Sequence, residues 1–157
     1  MNHFLRFLRV FALGSWVGAI VYFVAVVTRD VFAVLPNRDL AGVLVGSTLG
    51  GLHGMGILAA VVYLLASLAL ARSVGAIVRP AALGVILMLL LTAASQRLVM
   101  PRMAVLRTEM VSVDATPSSD RRRAEFDHLH GISVDLETGV LLLGLVALFL
   151  TVRDKAA

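Results

Sequence analysis

Residues 126–152 read FDHLHGISVDLETGVLLLGLVALFLTV, and the fold turns on how this stretch is divided. Its uncharged part, Thr138 to Val152, is about 15 residues long, short of the roughly 20 that a helix needs to cross a hydrocarbon core of about 30 Å. No turn signal separates it from FDHLHGISVDLE, so that polar segment is expected to open the same helix, at the membrane edge or inside the protein. Two histidines and three acids therefore stand where a membrane helix begins. Ionisable groups at membrane depth are costly enough to mark this as the place to look for chemistry.

The rest of the chain agrees with a membrane setting. Mean hydropathy is +0.93, 59% of the 157 residues are hydrophobic and 15% are charged, against about a quarter charged in soluble domains. The chain has room for a single membrane domain over residues 1–157 and no separate soluble one. The absence of cysteine excludes disulfides, thiolate metal sites and iron–sulfur clusters. The net charge of +4 comes from arginines that flank apolar runs, read as membrane-edge anchors. No basic face with interleaved aromatics forms, so no nucleic-acid partner is expected.

Four helices are predicted, at about 5–35, 39–72, 79–111 and 121–153, giving an all-α, antiparallel four-transmembrane-helix bundle. The first apolar run, Val10 to Thr28, is of spanning length and is read as a retained helix; Gly14 and Gly18 form a GxxxG pair expected to admit a neighbouring backbone. Pro36 stops this helix and Asp39 is expected to cap the next. Leu40 to Ala71 carries no charge, and His53 is its only titratable residue besides Tyr63. Gly42, Gly46, Gly50 and Gly54 recur every four residues, a glycine zipper expected to press against another helix; the other reading is a smooth wall for a substrate path. Pro80 suits the start of the third helix, and Pro101 is expected to kink it. DATPSSDRRR, residues 114–123, is the clear loop.

If the third and fourth helices pair across that loop, residues whose numbers sum to roughly 232 share a depth. Arg97 is then level with Asp135, Arg102 with His130 and Arg107 with Glu125, and Asp127 is a further partner for Arg102. On the fourth helix Asp127, His130, Val134 and Glu137 share one face; His128, Gly131 and Asp135 share another. Counting back along the second helix brings His53 to the level of Arg97. The expected polar cluster is therefore His53, Gln96, Arg97, Arg102, His130, Ser133, Asp135 and Glu137.

At these residues the chain resembles the transmembrane protein 205-like family (domain of unknown function 4149). Trp16 and Gly18, then Pro101, Arg102, Met103, Leu106 and Arg107, then Phe126, Leu129, His130 and Ser133 carry the likeness. It implies a four-helix integral membrane protein without an established activity, with His130 and Ser133 the positions that carry over most directly. It also implies an asparagine where this chain has Glu137.

Several functions fit such a cluster. Handling of a small ligand or ion, or support of a membrane complex, is the leading expectation. The alternative is haem or copper bound by His53 and His130, for copper with Met100 and Met103, since imidazole and thioether are suitable donors. An acid–base pair of His130 and Glu137 is a third reading, but no nucleophile elbow, phosphate loop or H-E-x-x-H accompanies it, and no catalytic residue is assigned. Ser133 is expected to bond its own helix. The expected partners are the lipid bilayer and a membrane protein or a second copy of the chain. The expected location is a bacterial-type inner membrane with cytoplasmic termini, because Arg6 and Arg9 precede the first helix.

Overall fold

In the computed structural model, which describes residues 2–153, four long helices are joined by short connections. We label them α1 (Asn2–Val34), α2 (Arg38–Ala71), α3 (Pro80–Met110) and α4 (Arg121–Arg153); each is long and apolar enough to cross a membrane. The protein is a four-span integral membrane protein of all-α fold.

The helix ends follow local chemistry. Asn37, not Asp39, caps α2: its side-chain oxygen accepts from the Asp39 and Leu40 amides at 2.7 and 3.2 Å. Pro80 occupies the first turn of α3, where its missing N–H costs nothing. The Asp120 carboxylate accepts from the Arg122 amide at 2.8 Å and caps α4. α3 ends at Val111 with φ 65°, a conformation that a β-branched residue rarely adopts.

α1 pairs with α2 and α3 with α4, and α1–α4 and α2–α3 contacts close the square. Trp16, Ile20, Tyr63, Val85, Met88 and Val140 fill its centre on the side of the termini. A smaller cluster of Leu106, Met110, Val113 and Phe126 packs α3 on α4 near their loop.

Two helices are interrupted. α3 widens into a π-turn over Ser95–Val99, which ends two residues before Pro101. The proline ring cannot donate to the carbonyl four residues back, and the wider turn absorbs the mismatch where a kink was expected. α1 has a π-turn over Phe23–Val27, and the Thr28 hydroxyl donates to the Phe23 carbonyl at 3.1 Å.

The glycines correct the sequence reading. A Cβ placed on Gly14, Gly18, Gly46 or Gly54 would meet nothing within 4 Å, and on Gly50 only the Met100 methyl at 3.8 Å. Gly42 is the zipper position with a close neighbour, the Arg107 guanidinium of α3 at 2.9 Å, so neither the GxxxG pair nor the zipper as a whole is a helix–helix seam. The close approaches lie elsewhere. A Cβ on Gly56 would overlap the Trp16 indole, and one on Gly144 would stand 2.7 Å from a Val17 methyl and 2.9 Å from the Met88 methyl. Spacing alone finds a stripe of small residues, but what faces the stripe is decided by how the helices rotate about their axes.

Candidate functional site: a cleft ending on a buried histidine–glutamate pair

Near the middle of their lengths, α2, α3 and α4 each contribute one polar side chain to a common point. His53 is 1% exposed. Its Nδ1 lies 2.8 Å from Gln96 Oε1 and its Nε2 lies 3.2 Å from Glu137 Oε2. With an amide oxygen facing it, Nδ1 is the protonated nitrogen, and Nε2 is left to share a proton with the carboxylate. The π-turn that carries Gln96 rotates this residue relative to a regular helix and delivers its amide to the ring.

Glu137 also faces a cleft of about 690 Å³ in the half of the bundle nearest the α3–α4 loop. Here the hairpin α1–α2 stands apart from α3–α4. The walls are largely apolar, with Phe23, Val24 and Phe32 from α1 and Met100 and Met103 from α3. Gly42 and Gly46 form part of the α2 wall, and a Cβ on Gly42 would stand 2.9 Å from the Arg107 guanidinium of α3. On α4 a polar line of Asp127, His130, Ser133 and Glu137 faces the cleft over ten residues, or about 15 Å of helix. Ser133 is 8% exposed and lines the cleft between His130 and Glu137.

The rim of the cleft is charged but balanced. Asp39 accepts from the Ser112 hydroxyl at 2.6 Å and from the Val113 and Asp114 amides at 2.8 and 3.3 Å, tying the start of α2 to the α3–α4 loop. Arg107 donates to the Asp39 carbonyl at 3.1 Å and lies over the Phe126 ring at 5.3 Å. Arg123 donates to Asp127 at 2.9 Å and to the Val113 carbonyl, and Arg38 stands 3.7 Å from Asp114. Sequence reading missed Asp39 here because the residue was taken for a helix cap.

Of the eight expected cluster residues, the structure brings together His53, Gln96 and Glu137, and sets His130 and Ser133 along the same cleft. Arg97, Arg102 and Asp135 lie outside it. Arg97 and Asp135 are exposed on outward faces and do not pair. Arg102 binds Glu125 at 2.7 Å, not Asp127 or His130; Asp127 is taken by Arg123. Arg107 bonds to α2 and not to Glu125. Equal depth of Cα atoms does not set these partners, because an arginine side chain reaches a full turn toward the membrane edge.

The donor set for a metal or haem does not converge. Both His53 ring nitrogens are engaged, and His53 itself lies behind Glu137, outside the lining that includes His130, Met100 and Met103. Among the described residues no three His, Cys, Asp or Glu side chains are placed to hold a metal.

A second buried network lies toward the termini. Arg9, read as an edge anchor, is 5% exposed and donates to the Tyr63 hydroxyl at 3.2 Å. The Thr151 hydroxyl donates to the Ala147 carbonyl at 2.7 Å and lies 2.8 Å from the Tyr63 hydroxyl, which donates to it. Between this network and Glu137 the buried residues of α4 are Val140, Gly144 and Ala147.

A model of the family described as Domain of unknown function (DUF4149) matches residues 11–112. The chain belongs to this family. The DUF4149 match spans most of α1, all of α2 and α3, and Ser112, which donates to Asp39; it ends before α4, so His53 and Gln96 fall within it and Glu137 outside. No curated protein and no solved structure matches the chain.

Proposed function

We propose that this membrane protein binds a small amphipathic molecule, drawn from the bilayer, in the cleft between its two hairpins. The observation that carries the reading is the cleft itself: about 690 Å³, apolar walls, and the polar side chain of Glu137 deep within it, backed by His53. That volume lies in the usual range for small-molecule sites of roughly 300–1,000 Å³, and an apolar lining with a few convergent polar groups is their common chemistry. Binding is favoured over passage because the buried α4 residues beyond Glu137 are apolar until Thr151. In this reading the termini face the cytoplasm, because Arg6 and Arg9 ahead of the first apolar run set its insertion against the larger number of arginines on the loop side.

The test is native mass spectrometry of the protein released from detergent micelles, wild type against Gly46→Phe. Gly46 lines the cleft and has nothing near its Cβ position, so phenylalanine there fills the space without displacing a neighbouring helix. A defined adduct on the wild type, lost in the variant, is expected. The same adduct on both proteins would sink the proposal.

A further inference from the structure

We infer that the cleft takes a lipophilic organic monocation, and that Glu137 gives up a proton in exchange for it. This rests on the cleft being a ligand site and specifies its chemistry.

The argument is one of charge balance. At the rim, Arg38 and Arg123 are matched by Asp114 and Asp127 through the contacts described above, and Arg107, which donates to the Asp39 backbone carbonyl, is balanced by the nearby charge of the Asp39 carboxylate. The acid left inside is Glu137, with a side chain 12% exposed and one oxygen engaged by His53. Titratable groups around it are few. α2 offers His53. α1 carries only Tyr22 between Arg9 and Arg29, and it is exposed. α3 has none from Pro80 to Gln96, and Arg97 is exposed and absent from the cleft lining. On α4, Asp135 lies on the outer face and His130 stands about two turns toward the rim.

Without ligand, the 3.2 Å contact between His53 Nε2 and Glu137 Oε2 holds one shared proton. When a monocation enters, that N–H or O–H bond breaks. The carboxylate pairs with the cation, and the proton leaves past the Ser133 hydroxyl and His130 to water at Asp127. One positive charge enters and one departs, so the apolar interior never holds a net charge, which is the costly state. The aromatic side chains Phe23 and Phe32 in the walls suit a diffuse cation better than an anion.

The experiment is isothermal titration calorimetry with tetraphenylphosphonium, the isosteric anion tetraphenylborate and neutral triphenylmethanol. The protein is in lipid nanodiscs with empty nanodiscs subtracted, from pH 6 to 8, in two buffers of different ionisation enthalpy. The expected result is tetraphenylphosphonium affinity rising with pH by up to tenfold per unit, with close to one proton released per cation at the acid end. Tetraphenylborate should bind at least tenfold more weakly. Glu137→Gln should lose the pH dependence and the preference for the cation while still binding triphenylmethanol; the proton count is read on wild type, so the inference does not depend on that variant folding. Equal affinities for cation and anion with no proton released would overturn the exchange while leaving the cleft a ligand site. Binding of no probe, with Gly46→Phe indistinguishable from wild type, would overturn the ligand reading and this inference with it.

Discussion

His53 Nε2 and Glu137 Oε2 lie 3.2 Å apart, joining two helices whose positions in the chain differ by 84 residues. Removing one member of a buried pair leaves the other without compensation, at a cost of about 3–5 kcal/mol, whereas replacing both by apolar residues of similar volume is often near neutral. We expect His53→Ala and Glu137→Ala each to lower stability by about 3 kcal/mol, and the double variant His53→Leu, Glu137→Leu to recover most of it. Urea or thermal unfolding in detergent followed by circular dichroism reads this directly, and a double variant less stable than either single one would refute it.

Gly56 and Gly144 are close-packing positions and Gly46 is not. A methyl group forced into a packed site costs about 1–3 kcal/mol. Gly56→Ala and Gly144→Ala are expected to lose stability on that scale, and Gly46→Ala to be neutral or slightly stabilising through better helix propensity. Melting temperatures of the three variants settle the order.

The tie between Asp39 and residues 112–114 holds Val111 at φ 65°. Val111→Gly should stabilise the protein by about 1 kcal/mol, since glycine adopts this conformation freely. Asp39→Ala should speed hydrogen exchange at the Val113 and Asp114 amides by about tenfold or more, the loss of roughly 1.4 kcal/mol of local protection. Unchanged exchange would mean that the loop is held by other contacts.

Acid should release the cap of α4. The Asp120 carboxyl is held at about 2, below its ordinary 3.8, first by the hydrogen bond from the Arg122 side chain and then by the Arg122 amide. Because the folded value is depressed, the stabilisation is fully present above the unfolded value and is lost as pH falls through about 2. Exchange of the Arg122 amide should therefore be constant from pH 7 to 5, after correction for intrinsic rates, and rise relative to an Asp120→Ala control only below pH 4. An onset above pH 5 would contradict this assignment.

Pro101→Ala restores an N–H that can rejoin the regular ladder. The π-turn at Ser95–Val99 is then no longer compelled, and Gln96 is expected to swing away from His53. A shift of the His53 Nδ1 resonance in Pro101→Ala like that in Gln96→Leu would establish the link; an unchanged resonance would break it.

The depth of the polar layer was legible in the sequence, because helical rise is constant. Gln96 and Glu137, which meet at His53, sum to 233, one from the value that the loop position predicts. Partners that depend on side-chain reach were not legible. Arg102 extends toward the loop to Glu125, and Arg107 crosses to α2. Helix rotation was equally hidden: the spacing of Gly42 to Gly54 is the same whether the stripe faces a helix or a void. Asp39 is the clearest loss, since Asn37 two residues earlier takes the capping role and frees its carboxylate for a bond that no local pattern announces.

The two hairpins present different exteriors to their surroundings. On α1–α2, large apolar side chains face outward from Phe4 to Val34 and again from Leu40 to Leu65. On α4 the outward apolar surface is dense only from Leu142 to Val152, and the opposite half shows Asp127, His128 and Asp135. The uncharged run of α4, about 15 residues, covers about 22 Å, against about 48 Å for the uncharged run of α2. A bilayer in contact with both hairpins meets two hydrophobic thicknesses on one molecule, so it must thin beside α4 or the whole bundle must lean, with its short side toward the loop.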